Sequence, residues 1–411
     1  RSQKELGMSS LAKKIVAVLS VFVIAYVAAG FMMSRADDQK ESAYKAMTVY
    51  TEVLDHVQND YVDQPNIHQV TSGALHGLLD SLDPQSSYMS PLEYKDYEQK
   101  TSTVAKASAG VALTKRFGYI SVISALPDSP AAKANLRLGD VIEKIGDFTT
   151  SQMGVDQAQV LLSGDPGTVV KLSVIRRGKT EPGAVSLTLE PLATPKVVTA
   201  TLPSGVAYLR VPTFNNGMSQ QIRASLDRFK KDGARKLILD LRNCALGNDQ
   251  EGIDTAQLFL TSGTVATLKG QTVTPQVFSA DPAKDVWSAP VAVLIGNGTA
   301  GPAEIVAAAI ADNHRGDTIG DRTYGTASEQ KLIQLDDGSA LILTIADYYT
   351  PANKNIPADG VVPIDIVRPA AVDDIAQLNN IYPAAPTDSP TDPVVKKALD
   401  VLQGAPAKKA A

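Results

Sequence analysis

Two short aliphatic runs, Lys236 to Leu241 and Val291 to Ile295, read as buried strands, and each is followed by a stretch with helical periodicity. Such alternation restricts the chain to a layered α/β core. Around these runs, Val206 to Val211 reads as a strand and Met218 to Lys231 as an amphipathic helix. Ile253 to Leu260 and Ala303 to Asp312 read as helices, and Ala340 to Tyr349 as a further strand. At 411 residues the chain is too long for one compact core, so more than one domain is expected.

Residues 42–103 read as a helical segment. Tyr44, Met47, Tyr50, Leu54, Val57 and Tyr61 recur at helical spacing, and a second helix ends at Leu82-Asp83-Pro84. Residues 104–192 read as a β-rich unit with strands at Tyr119 to Ile123, Val141 to Ile145, Val169 to Arg176 and Ala184 to Leu189. The layered core occupies 193–368. Residues 369–411 form a tail rich in Pro, Ala and Asp, expected to be mobile apart from one short helix at Val394 to Leu402.

Ile15 to Met33 is uncharged. As a helix it would reach about 28 Å, close to the hydrocarbon thickness of a bilayer. Lys13 and Lys14 precede it and place the N-terminus in the cytoplasm. Residues 1–41 are therefore expected to hold a cytoplasmic stub, a membrane anchor over 15–33 and a polar linker. A cleaved signal peptide is the competing reading, and Met8 is the expected natural start.

The net charge of −5 argues against a nucleic-acid binder. Cys244 is the sole cysteine, so no intrachain disulfide can form. The four histidines (His56, His68, His76 and His314) do not combine with it at metal-ligand spacing, and neither a metal nor a cofactor is expected.

The segment from Gly110 to Phe148 resembles a PDZ domain, with turns at Ser129-Pro130-Ala131 and Leu138-Gly139-Asp140. The resemblance implies an exposed strand edge to which an extended peptide adds, with its terminal carboxylate in a nest of amides at Gly110, Val111, Ala112 and Leu113.

Four further segments resemble the carboxyl-terminal processing peptidases. They are VYTEVLDHVQNDYV, the LDPQSSY run from Leu82 to Tyr88, the LILDLRNCALG strand and turn, and the GTAGPAEIV…YGTASEQ region. The fold class this implies is α+β multidomain: an N-terminal transmembrane helix, a helical segment, a PDZ domain and a layered α/β peptidase-like core. That family uses a serine nucleophile deprotonated by a neutral lysine, with a glutamine orienting the lysine and a glycine turn forming the oxyanion hole. On this chain the nucleophile position is Gly301, the base position is Thr326 and the glutamine is Gln330. The oxyanion turn carries Leu246 and Gly247, and Pro302 after the nucleophile position has no N–H. Ser163-Gly164 stands where the family has Arg-Gly, and the terminal GIxPD segment becomes Gly360-Val361-Val362-Pro363-Ile364, with the aspartate displaced to Asp365.

The expectation is a pseudopeptidase with no intact catalytic set, anchored in a bacterial inner membrane with most of the chain periplasmic. Its partners would be peptide or protein C-terminal tails, an active paralogue or an envelope complex. Two alternatives stand beside it. One is an active serine-type endopeptidase with a non-standard or partner-supplied site, for which Thr299, Ser328, Lys331, His314 and Cys244 are the nearby groups. The other is a structural subunit of an envelope complex.

Overall fold

The computed structural model describes residues 44–193, 195–202, 205–368 and 392–404. It divides into two compact units, one reaching to Ser72 and one running from Gly73 onward. The first contains a helix over residues 44–60, on which the predicted stripe of Tyr44, Met47 and Tyr50 is exposed. The expected membrane anchor at 15–33 lies outside the described residues. Among those described, no helix is long and apolar enough to cross a membrane.

The second unit is built on a six-stranded sheet. Its order is Val198–Leu202, Val206–Arg210, Leu237–Asp240, Val291–Ile295, Asp317–Gly320 and Asp365–Ile366. The first pair is antiparallel and the others are parallel. The alternation along each strand divides the core in two. Leu237, Leu239, Val291, Val293 and Ile295 pack with the helices Met218–Lys231, Asp249–Gln257 and Pro302–Asp312. Tyr208, Ile238, Ala292, Leu294 and Ile319 face the opposite way, against Val394, Val395, Ala398, Leu399 and Leu402 of the helix Pro393–Gly404.

This last packing changes the expected picture of the tail. The C-terminal helix covers the strands Leu237–Asp240, Val291–Ile295 and Asp317–Gly320 on one face of the central sheet, because central strands with apolar residues on both faces need cover on both sides. It is also fixed electrostatically. Asp392 accepts from the Val394 amide at 2.9 Å and from Arg242 Nη1 at 2.6 Å. Arg242 in turn donates to both carboxylate oxygens of buried Asp240, at 2.9 and 2.7 Å, and Tyr208 donates to the same carboxylate at 2.7 Å. Burial pushes the Asp240 carboxyl upward, but Arg242, Arg210 and the Tyr208 hydroxyl together hold it below the usual range.

A second sheet is organised on the long strand Ala340–Tyr349, which pairs with Ser87–Met89, Ser328–Gln334 and Thr264–Lys269. The helical reading of residues 42–103 therefore fails at Ser87–Met89. Asp83 explains why: its carboxylate accepts from the Gln85 and Ser86 amides at 2.8 Å, from Ser86 Oγ at 2.7 Å and from Thr344 Oγ1 at 3.0 Å. These bonds end the preceding helix and aim the chain into the sheet.

Residues 107–190 hold an antiparallel sheet in the order Val111–Arg116, Tyr119–Ala125, Val141–Ile145, Val169–Ile175 and Gly183–Thr188. The helices Pro130–Lys133 and Val155–Leu161 contribute to its core. Gly110 has φ +68°, and a Cβ there would lie 2.5 Å from the Ser129 Cβ, so only glycine lets the chain pass this turn.

Candidate functional site

The parallel strands deliver their carboxyl ends to one edge of the sheet, where α/β folds place their ligand sites. After Asp240 the chain turns through Cys244 to Gly247, and after Ile295 it turns through Thr299 to Gly301. Gly247 forms a parallel bridge with Phe214, and a Cβ on it would lie 2.3 Å from the Phe214 carbonyl carbon. Its φ of +133° adds a second reason for glycine. Leu246 holds the same turn through its carbonyl, which accepts from the Phe214 amide at 2.8 Å and from Thr213 Oγ1 at 2.9 Å.

Gly301 is the N-cap of the helix Pro302–Asp312, with φ 56° and ψ −123°. Its amide donates to Glu304 Oε2 at 2.9 Å and to Thr326 Oγ1 at 3.0 Å. The structure thus brings positions 301 and 326 into direct contact. Glu304 makes that contact rigid. Its buried carboxylate accepts four bonds: from the Gly301, Gly325 and Thr326 amides at 2.9, 2.7 and 2.8 Å, and from Thr323 Oγ1 at 2.5 Å. Burial pushes its pKa up to about 7, with the four donors working in the opposite direction. A glutamate three residues into a helix is the sequence mark of a capping box, so this role could have been read from the spacing.

The chemistry available at these positions is limited. Gly301 has no side chain, Pro302 has no N–H to offer an oxyanion, and the Thr326 hydroxyl is not a base at neutral pH. Gln330 does not reach Thr326: its Nε2 donates to Ser328 Oγ at 2.8 Å. Thr299 is fully buried, accepting from the Gly296 amide at 3.1 Å and donating to the Leu241 carbonyl at 2.9 Å. Cys244 is fully buried, and burial pushes its thiol far above the range in which a thiolate forms. His314 and Lys331 are exposed. Among the described residues, no group of three or more histidine, cysteine, aspartate or glutamate side chains is placed to hold a metal.

Asp249, the first residue of its helix, is a site residue that the sequence reading missed. That reading began the helix at Ile253; the structure begins it at Asp249, with Asn248 as N-cap accepting from the Gln250 amide at 2.8 Å. The run Asn248-Asp249-Gln250-Glu251 carried the signal, a capping residue followed three positions later by glutamate. Burial pushes the Asp249 carboxyl up to about 7, reinforced by Glu329 and Glu304. The folded carboxyl therefore keeps a proton that the unfolded chain releases between about pH 4 and pH 7. Stability from this group falls as pH rises through that window. Asp249→Asn is expected to raise the unfolding free energy by roughly 1–3 kcal/mol at pH 8 and to change it little at pH 4, as read by urea titrations at both pH values.

The predicted nest residues Gly110, Val111, Ala112 and Leu113 are all buried. Ala112 and Ile123 pack with Ala300, and Ala245, Leu246 and Tyr324 close around them. Lys115, further along the same strand, donates to both oxygens of Asp80 at 2.7 and 2.8 Å. The edge strand of the small sheet is thus packed against Ala300 of the core at Ala112 and against Asp80 at Lys115, and a cavity lies at its Gly110 end. That cavity, of about 550 Å³, reaches from Gly110 to Leu246 and Gly247.

These features define a PDZ-bearing peptidase fold whose two domains meet at the carboxyl edge of the central sheet. Residues 205–367 match the model of peptidase family S41, and residues 121–176 match that of the PDZ domain. The carboxy-terminal-processing protease of Bartonella bacilliformis is 30% identical over 335 residues, spanning 80% of this chain and 76% of the relative. The carboxyl-terminal-processing protease of Synechocystis is 28% identical over 356 residues, spanning 85% of this chain and 81% of the relative. Among solved structures, a photosystem II D1 C-terminal processing protease aligns with a TM-score of 0.64 and 25% identity, covering 82% of this chain and 98% of that one. The chain belongs to peptidase family S41, among the carboxy-terminal processing proteases.

Proposed function

We propose that this chain is a non-hydrolytic member of its family: a pseudopeptidase that captures peptide or protein carboxyl-terminal tails and acts as a regulator or scaffold in the cell envelope. The observation that carries the reading is the direct contact between Gly301 and Thr326, which puts glycine and threonine where the family resemblance places a nucleophile and its base. Loss of the N–H at Pro302 supports it, as does the engagement or burial of Thr299, Ser328 and Cys244. Triad-type catalysis falls by several orders of magnitude when one member is removed, so loss of two leaves hydrolysis near background. The uncharged run at 15–33 supports an inner-membrane anchor with the remainder periplasmic, where an active paralogue or an envelope complex would be within reach.

The test is incubation of the purified chain with an unstructured protein such as casein, alongside serine- and cysteine-directed covalent probes. The expected result is intact substrate and no labelling. Cleavage that disappears on changing Thr299, Ser328 or Thr326 would sink the proposal.

A further inference from the structure

The hairpin that joins Val111–Arg116 to Tyr119–Ala125 turns on two residues, Phe117 and Gly118, because Arg116 pairs with Tyr119. Both have positive φ, 52° and 81°. Two-residue turns of this kind favour Asn-Gly or Asp-Gly, since a bulky side chain resists the left-handed conformation and a short polar one tolerates it. The other non-glycine residues with positive φ among those described obey that rule: Asp128, Asn135, Asn243, His314 and Asn353. Phe117 breaks it, and it does so while 87% exposed. Its ring gains little from burial and its backbone is held where phenylalanine is disfavoured, so folding does not account for it.

Phe117 has exposed apolar company in Tyr119, Phe148 and Val169. Strand pairing puts all four at one end of the small sheet. Ile120, next to Tyr119, pairs with Ile142, whose strand runs on to Ile145 and the turn before Phe148. The Gly146 amide in that turn donates to the Lys171 carbonyl at 2.7 Å, two residues from Val169. Each phenylalanine ring also carries a cation. The Arg116 guanidinium lies 5.1 Å from the Phe117 centroid. Lys100 Nζ, which also binds Asp96 at 2.7 Å, lies 5.9 Å from the Phe148 centroid. Lys144 and Lys171 are exposed on the adjoining strands, and Asp147 is the one carboxylate in the two turns.

We infer that this end of the PDZ domain rests on an anionic lipid bilayer, with the Phe117 and Phe148 rings at the boundary of headgroups and acyl chains and Arg116 and Lys100 at the phosphates. A bilayer surface is apolar below and negatively charged above, and aromatic rings with cations beside them match both layers. The rings stand on separate turns at the rim of a sheet, which suits a fluid surface better than a shaped protein pocket. The inference rests on the reading that residues 15–33 anchor the chain, because an anchor holds a weakly binding tip beside the lipid at high effective concentration.

The test uses the full chain reconstituted into vesicles of phosphatidylethanolamine and phosphatidylglycerol. Phe117→Trp and Phe148→Trp place reporters at the two turns. Val277→Trp, on the exposed core strand Gln276–Ser279, is the control, and the native Trp287 is buried in the core as background. Lipid brominated on its acyl chains quenches an indole only at the hydrocarbon boundary. Both turn reporters are expected to shift to the blue and to lose most of their added fluorescence to brominated lipid, while the control loses none. The loss should be smaller in vesicles of phosphatidylcholine alone. Phe117→Asn, combined with the Phe148→Trp reporter, is expected to keep or raise the melting temperature and to remove most of the quenching. Unquenched reporters in a chain that has entered the vesicles overturn the inference, leave the anchor reading intact and turn the tip toward a protein partner. A melting temperature lowered by Phe117→Asn overturns it too, because the phenylalanine would then serve the fold. Equal quenching in phosphatidylcholine overturns the preference for anionic lipid. A chain that does not sediment with the vesicles at all overturns both the inference and the anchor.

Discussion

A chain carrying Gly301→Ser, Pro302→Ala and Thr326→Lys is expected to cleave an unstructured protein that the unaltered chain leaves whole. The space for this chemistry is present. A Cβ built on Gly301 meets only Thr326 Oγ1, at 3.9 Å, so a serine there would point at the residue that must become its base. The positive φ of 56° strains any side chain at this position by about 1–3 kcal/mol, a cost the Glu304 clamp can hold because it fixes both turns through backbone amides. Alanine at 302 restores an N–H at the first helical position, where the helix itself has no use for it and an oxyanion can take it. The lysine must lose its proton to act, and Asp249 and Glu304 nearby favour its charged form once they ionise above about pH 7. Activity should therefore appear at alkaline pH and increase when Asp249→Asn is added. The triple variant is expected to exceed the unaltered chain on the order of 10³-fold in the release of new amino termini, with each single variant near background. A folded but inert triple variant would mean that the cleft differs from a working one in more than these three positions, with Leu246 in the oxyanion turn the first to examine.

The positions that made this site readable from sequence are those whose requirement is steric. Gly247 and Gly325 have positive φ, and a Cβ on either would fall within 3 Å of backbone atoms, so glycine is needed there whether or not the site turns over. Glu304 is needed to join two turns. Glu304 is also the residue that, together with Gln330, fixes the placement of positions 301 and 326 in the sequence. At Gly301, by contrast, a Cβ meets nothing closer than 3.9 Å, so no close contact excludes a side chain there and glycine is favoured only by the positive φ. What sequence did not reveal follows from the same distinction. The strand Ser328–Gln334 is largely exposed and shows no alternation of apolar residues, so only its pairing with Ala340–Tyr349 defines it. The cover of the PDZ edge strand at Ala112 comes from Ala300 and Tyr324, about 200 positions further along the chain. No local pattern could announce that contact.

A chain ending at Arg368 is expected not to accumulate as a folded protein. The composition after Pro369 suggests a dispensable tail, and on that reading the truncation would leave the melting temperature unchanged. Packing predicts otherwise. Removing the helix Pro393–Gly404 uncovers Tyr208, Ile238, Ala292, Leu294 and Ile319 on the central sheet. It also withdraws Val394, Val395, Ala398, Leu399 and Leu402 from burial. At about 1.5–3 kcal/mol for each large aliphatic side chain, the loss is on the order of 5–10 kcal/mol, as large as the whole net stability of many domains. Asp392→Ala separates the electrostatic part from the apolar part. Arg242 then loses its contact with the helix but keeps both bonds to Asp240, so the cost should be only about 1–3 kcal/mol and the protein should remain folded. Because Asp240 and Arg242 lead directly into the turn that carries Leu246 and Gly247, the same variant should also loosen the core wall of the cavity. Amide hydrogen exchange at residues 243–248 measures this, and faster exchange there with an intact global unfolding transition is the expected outcome. Unchanged exchange and an unshifted melting temperature for the truncated chain would show that the C-terminal helix contributes nothing to the sheet it covers.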